Sequence, residues 1–174
     1  MELWDAYRSS FVKIENVALV RGEPIPNGMF HLVCEILVKH TDGTFLLMKR
    51  DPKKHFGGMW EATAGGSALV GENPTQCAIR ELREETGIIS TDLIEVGREV
   101  NKRTSSIYIE FLCVTDWNKD GISLQKDETV EYKWVSKEEL LSMNKDELIT
   151  KRIQKYVDEL NQIVSDHKGK NKGK

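Results

Sequence analysis

The sequence predicts an α/β fold in which helices sandwich a mixed β-sheet, an α/β/α arrangement, and three observations lead there. Short apolar and β-branched runs of strand length recur along the chain. Helix-period segments with cap residues stand between and after those runs, and neither a repeat nor a linker divides the 174 residues.

The first clear strand is the run from Met29 to His40, closed by the turn-forming Thr41-Asp42-Gly43-Thr44 and followed by Phe45 to Met48, which together read as a hairpin. Next comes a helix from Asn73 to Thr86. Asn73 suits the cap, Pro74 the first helical position, Gln76 the third position of a capping box, and Gly87 the stop. Leu93 to Val100 and Ile107 to Val114 read as further strands, as does Glu131 to Val135. A second helix begins near Ser136, which with Glu139 makes another capping box. From Lys145 to about His167 the residues Leu148, Ile149, Ile153, Tyr156, Val157, Leu160 and Val164 fall at helical spacing, so this segment is expected to be a helix packed on the sheet.

A chain of this length buries a sizeable core and fits one domain, here residues 1–167, with Lys168 to Lys174 as a basic, solvated tail. Hydrophobic residues are 39% and charged residues 30% of the total, ordinary values for a folded protein. No apolar stretch is long enough to span a membrane, and the acidic start lacks the features of a signal peptide, so the expected location is the cytoplasm. Cys34, Cys77 and Cys113 are far apart and odd in number, as expected of reduced, buried thiols. A net charge of −3 argues against a nucleic-acid polymer as partner, because phosphate-backbone binding needs a basic surface.

The stretch that carries chemistry runs from Gly66 through Glu72 and on to Arg80-Glu81-Leu82-Arg83-Glu84-Glu85-Thr86-Gly87-Ile88. At about 100° per residue, Glu81, Glu84 and Glu85 share one helix face. Like charges so spaced cost roughly 0.2–0.5 kcal/mol per pair, a cost that a divalent cation reverses. Mg²⁺ takes oxygen ligands and is commonly shared between carboxylates and substrate phosphates. Taken alone, the helix reads as a solvated acidic face with Arg80 and Glu84 as an ordinary helical pair.

The whole stretch changes that reading, because Gly66 to Ile88 resembles the Nudix box at every defining position. Seven identities at ordinary residue frequencies and two apolar positions arise by chance on the order of 10⁻⁹ per starting point. The resemblance implies a Nudix-type α/β/α sandwich and a Nudix hydrolase, a pyrophosphohydrolase in which Mg²⁺ or Mn²⁺ is held against a diphosphate. Glu81, Glu84 and Glu85 match the family's metal-binding glutamates, and the Gly65 carbonyl matches a further ligand. Arg80 is expected to orient Glu81, and Glu72 to support the loop and helix start. Members of the family often add a late carboxylate, for which Glu128 is the candidate and Glu131 the alternative. Arg50, near Lys53 and Lys54, is expected to receive phosphate.

The resemblance extends to Trp4-Asp5, Arg21-Gly22-Glu23, His31, Lys49-Arg50 and Met59-Trp60, which look like the branch that includes isopentenyl-diphosphate isomerase. That isomerase has a catalytic cysteine and a metal-binding histidine where this chain reads Ala64-Gly65-Gly66, and it bends the box that this chain keeps whole. The reading is therefore hydrolysis of a diphosphate bond in a nucleoside diphosphate linked to another moiety, by metal-activated water. An isomerase-like enzyme and a catalytically silent nucleotide sensor are the alternatives. His31 reads equally as a substrate contact or a polar strand position, whereas Trp60 and Tyr108 read first as core or strand packing and second as faces on which a base stacks. The implied partner is a small-molecule diphosphate, and family analogy adds a homodimer.

Overall fold

The computed structural model describes residues 1–144, 146–149, 154 and 157. Its elements run β1 (Leu3–Tyr7), β2 (Lys13–Val20), β3 (His31–His40), β4 (Phe45–Arg50), β5 (Trp60–Glu61), β6 (Ala64–Ser67), α1 (Pro74–Thr86), β7 (Leu93–Asn101), β8 (Ser106–Thr115), β9 (Thr129–Val135) and α2 (Lys137–Ser142).

A seven-stranded sheet is built around β3, in the order β5-β4-β3-β8-β7 with β6 on β3 and β9 on β4. The β3–β8 pair is parallel along all ten of their residues while the other pairs are antiparallel, so the sheet is mixed as expected. Period-2 alternation sorts β3 and β4 into two cores. Leu32, Cys34, Ile36, Val38, Leu46 and Met48 point to one face and pack with Cys77, Ala78 and Leu82 of α1. Leu37, Phe45 and Leu47 point to the other and pack with Leu140 of α2. Thus α1 packs on one face and α2 on the other, where Leu148 and Val157 also join the core.

The helix α1 begins and ends where its cap residues predict, and α2 begins where its capping box predicts. Asn73 and Gln76 form a reciprocal capping box on α1, and Gly87 ends that helix at φ 77°, a left-handed conformation that a residue without Cβ adopts freely. Ser136 and Glu139 cap α2 in the same way.

Three strand features escaped the sequence reading. The β1–β2 hairpin forms a separate two-stranded sheet, and β5 and β6 are two and four residues long. The β6 strand, Ala64-Gly65-Gly66-Ser67, has no strand-like composition, since its pairing is imposed by β3. The expected helix from Lys145 to His167 lies largely outside the described residues. Where its start is described, Leu148 instead makes a β-bridge with Trp60, because its backbone continues the β5 edge; Gln154 and Val157 are helical.

One topological detail opens the cleft. With β8 along one edge of β3, the other edge carries β4 at Val38–Lys39 and then β6 at Val33–Ile36. The sheet forks between β4 and β6, and buried Thr63 sits at the fork, where its hydroxyl accepts from Val38 N at 2.8 Å and donates to Leu46 O at 2.6 Å.

Candidate active site

The fork leads into a cleft of about 890 Å³. Its lining includes Gly65 and Gly66 of β6 and Glu81, Glu84 and Glu85 of α1. Packing α1 on the first core through Cys77, Ala78 and Leu82 turns the glutamate face toward β6.

Arg80 ties this region together. Its guanidinium donates to Glu72 from Nε (2.7 Å) and Nη2 (2.9 Å), to Glu81 from Nη1 (2.6 Å), to Glu84 from Nη1 (3.2 Å) and to the Ser67 carbonyl (3.1 Å). Glu72 also accepts from Leu69 N at 2.9 Å, which closes the loop that enters α1. These bonds, that to Glu72 first, hold Arg80 protonated well above its ordinary range and keep Glu72 below the usual carboxylate value.

The two inner glutamates behave differently. Burial raises the Glu81 carboxyl and outweighs the pull of Arg80. Burial, with the Glu81 and Glu61 carboxylates nearby, pushes Glu85 up to about 8, although Glu85 accepts a hydrogen bond from the Gly65 backbone. A Cβ on Gly66 would meet Glu81 Oε1 at 2.3 Å, and one on Gly65 would meet the Cys34 carbonyl at 2.8 Å. Fixed backbone therefore confines position 65 to glycine, whereas a Cβ at position 66 would displace the Glu81 carboxylate.

As the side chains stand, no group of three His, Cys, Asp or Glu residues converges at metal-binding spacing among the described residues. The Arg80 guanidinium holds Glu72, Glu81 and Glu84 as its own partners. The donor chemistry nevertheless fits a hard divalent cation: carboxylates with a glycine backbone beside them, and a carboxyl in Glu85 whose ionisation its acidic neighbours oppose.

The cleft wall also carries Arg50, Lys54, His55 and Phe56 of the segment after β4. Arg50 is held by Glu61 (2.8 Å) and by the His55 carbonyl (2.9 Å), and Lys54 pairs with Glu128. Glu128 lines the cleft; Glu131 lies outside its lining, exposed on β9 and paired with Lys49 at 2.9 Å. Glu2, Trp4 and Arg21 from the region of the β1–β2 hairpin and Arg103 of the β7–β8 turn line the cleft as well.

Two residues expected at the substrate are placed elsewhere. His31 is not part of the cleft lining, because Trp4 stacks over it at 4.3 Å and its ring nitrogens are engaged by Ser67 (3.1 Å) and Ser106 (2.7 Å). Burial lowers its pKa to about 4. Trp60 turns to the second core, with the ammonium groups of Lys133 and Lys49 over its ring at 4.4 and 5.4 Å. Tyr108 does line the cleft. The sequence reading missed Glu2, Glu61, Phe56 and Arg103, since nothing local in their spacing ties them to the glutamate helix; only the fold brings them there.

Fold and cleft define a class: a mixed-sheet α/β sandwich in which a capped acidic helix faces a cleft flanked by basic residues. Within that class the chain belongs to the NUDIX domain family, whose sequence profile matches residues 29–159. It is 32% identical over 142 residues to an uncharacterized Nudix hydrolase of Listeria monocytogenes, covering 80% of this chain and 83% of that one. It is 26% identical over 146 residues to the isopentenyl-diphosphate Delta-isomerase of Dinoroseobacter shibae, covering 80% of each. In fold it is similar to a crystal structure of a Deinococcus radiodurans protein, with a TM-score of 0.66 at 19% identity, covering 81% of this chain and 87% of that one. Among the described residues no helix is long and apolar enough to cross a membrane.

Proposed function

We propose that this Nudix hydrolase is Mg²⁺- or Mn²⁺-dependent and cleaves the diphosphate bond of a nucleoside diphosphate linked to another moiety, with water as the attacking group. The observation that carries the reading is that Glu81, Glu84 and Glu85 of α1 line one cleft together with Gly65 and Gly66 of β6.

In this reading Glu81, Glu84 and Glu85, the Gly65 carbonyl and Glu128 hold the metal. When bound, the cation acidifies a water and screens the charge that develops on the departing phosphate. Arg80 fixes the Glu81 carboxylate through its 2.6 Å hydrogen bond and couples it to Glu72 at the head of the helix. Arg50 and Lys54, each presented on the cleft wall, meet the remaining phosphate charge. Releasing Arg80 from Glu84, the longest and most exposed of its carboxylate contacts, frees that side chain as a ligand.

The isomerase reading is less well supported. In the cleft wall β6 contributes Ala64, Gly65 and Gly66, side chains with neither the thiol nor the imidazole that the isomerase has in that segment.

The test is a screen of purified protein with Mg²⁺ against nucleotide sugars, ADP-ribose, dinucleoside polyphosphates, nucleoside triphosphates and isopentenyl diphosphate, read by product mass. The expected result is cleavage of a diphosphate bond in a nucleotide derivative. Isomerised product without cleavage, or binding without turnover, would contradict the proposal.

A further inference from the structure

Among the described residues, five non-glycine residues have left-handed backbone: Phe11, Asn16, Phe56, Ser105 and Asp127. Three are small polar residues of the kind that tolerate it, but for a bulky aromatic this conformation is a genuine outlier. The two phenylalanines differ in what they gain. Phe11 packs against the first core, with the Arg98 guanidinium 5.3 Å from its ring centroid. Phe56, at φ 60°, remains 52% exposed and lines the cleft. It bears the strain without the burial.

The loop that holds Phe56 is built tightly. Asp51 N donates to the Glu128 carbonyl (2.9 Å), Lys54 N to the Asp51 carbonyl (3.0 Å), Gly57 N to the Lys54 carbonyl (2.9 Å) and Gly58 N to the Arg50 carbonyl (3.0 Å). Gly57 passes so near Pro52 that a Cβ would meet its carbonyl oxygen at 2.4 Å. His55 backs the Phe56 ring at 4.0 Å between centroids, and the His55 carbonyl accepts from Arg50 Nε. One short, self-braced segment thus presents two cations, Arg50 and Lys54, followed by an exposed aromatic face.

We propose that Phe56, backed by His55, is the platform on which the planar base of a nucleoside diphosphate stacks. This rests on the proposed function, which puts the phosphates beside Arg50 and Lys54. A fixed aromatic ring beyond the phosphate-binding cations offers a π-face to any base, which gives affinity for the nucleotide class without choosing one base. Strain held in place by surrounding structure is found at ligand sites for this reason.

The experiment is calorimetric titration, with Mg²⁺, of the α,β-methylene analogues of ADP, CDP, GDP and UDP, of isopentenyl diphosphate, and of methylenediphosphonate, which has no base. At least one base-bearing analogue is expected to bind the wild-type protein about tenfold tighter than methylenediphosphonate. Phe56→Asn, which suits the backbone and removes the ring, is expected to bring that advantage within about twofold while melting no lower than wild type. Phe56→Tyr is expected to keep it. Base-bearing analogues that bind no tighter than methylenediphosphonate, a Phe56→Asn protein that keeps the preference, or a ring-dependent preference for isopentenyl diphosphate would overturn the proposal. A Phe56-dependent base preference in a protein that turns over no diphosphate would sink the hydrolase reading and leave the platform standing.

Discussion

Gly66 and Glu81 are fitted to one another so closely that a single methyl group at position 66 would come within 2.3 Å of the Glu81 carboxylate oxygen. The glycine lies within β6, one of the two strands at the fork in the sheet, and the glutamate comes from α1 packed against it. Gly66→Ala is therefore expected to displace the carboxylate without disturbing the core, and to lower kcat by about 100-fold, the usual scale for a 1 Å misplacement at a reacting centre. Turnover and thermal melting measured together check this, with the melting temperature changing far less than the rate.

Arg80 engages Glu72 through two nitrogens and Glu81 through a third. Lysine carries one ammonium and cannot reproduce that fork. Arg80→Ala leaves the Glu72 and Glu81 carboxylates uncompensated and is expected to cost about 3–5 kcal/mol of folding stability. Arg80→Lys is expected to recover less than half of it. Urea denaturation of the three proteins reads the difference directly, and full recovery by lysine would show that charge alone suffices.

The hairpin also supports the box. Asp5 Oδ2 accepts from Gly71 N at 2.8 Å and from Lys13 Nζ at 2.7 Å, and Asp5 is buried at 6% exposure. Removing it strands a loop amide and a lysine. Asp5→Ala is expected to destabilise by about 1–3 kcal/mol and to speed amide exchange at Gly71 more than at residues of β8.

His31 gives a pH dependence of known sign. Burial lowers its folded pKa to about 4, below the ordinary value of 6.5, so as pH falls the unfolded chain takes up the proton first. Its contribution is fully present above about pH 6.5 and is lost progressively down to about pH 4. Because the ring is half-buried, solvent screening leaves on the order of 1–2 kcal/mol. Denaturation of wild type and His31→Gln at pH 7 and pH 4.5 isolates it: the wild type should lose more stability between the two than the variant, and equal losses would assign the slope to other groups.

The secondary structure most legible from the sequence was that specified by local chemistry. The capping boxes Asn73–Gln76 and Ser136–Glu139 carry their signal in residues three apart, and the alternation along β3 and β4 is written in the strands themselves. The β6 strand was illegible because Ala64-Gly65-Gly66-Ser67 has no strand propensity and pairs only because β3 offers a free edge. The glutamate helix was readable as one spaced pattern. Arg103, Glu61 and Phe56 were not, since Phe56 and Glu61 reach the cleft from the segment around β5 and Arg103 from the β7–β8 turn, both remote in sequence from the glutamate helix. His31 and Trp60 were drawn toward the substrate by their chemistry, yet a stacked indole and two hydroxyls hold the first, and two lysines the second.

The most direct test of the central claim is turnover of Glu84→Gln with millimolar Mg²⁺, using the best substrate from the screen and, beside it, wild type with and without EDTA. Glutamine keeps the size of the side chain and removes its charge as a ligand. The variant is expected to fold with an unchanged melting profile in EDTA and to lose at least about 100-fold in kcat, as for other transition-state charge stabilisers, and wild type is expected to be inactive in EDTA. Full activity of the variant, or of wild type stripped of divalent ions, would contradict the claim.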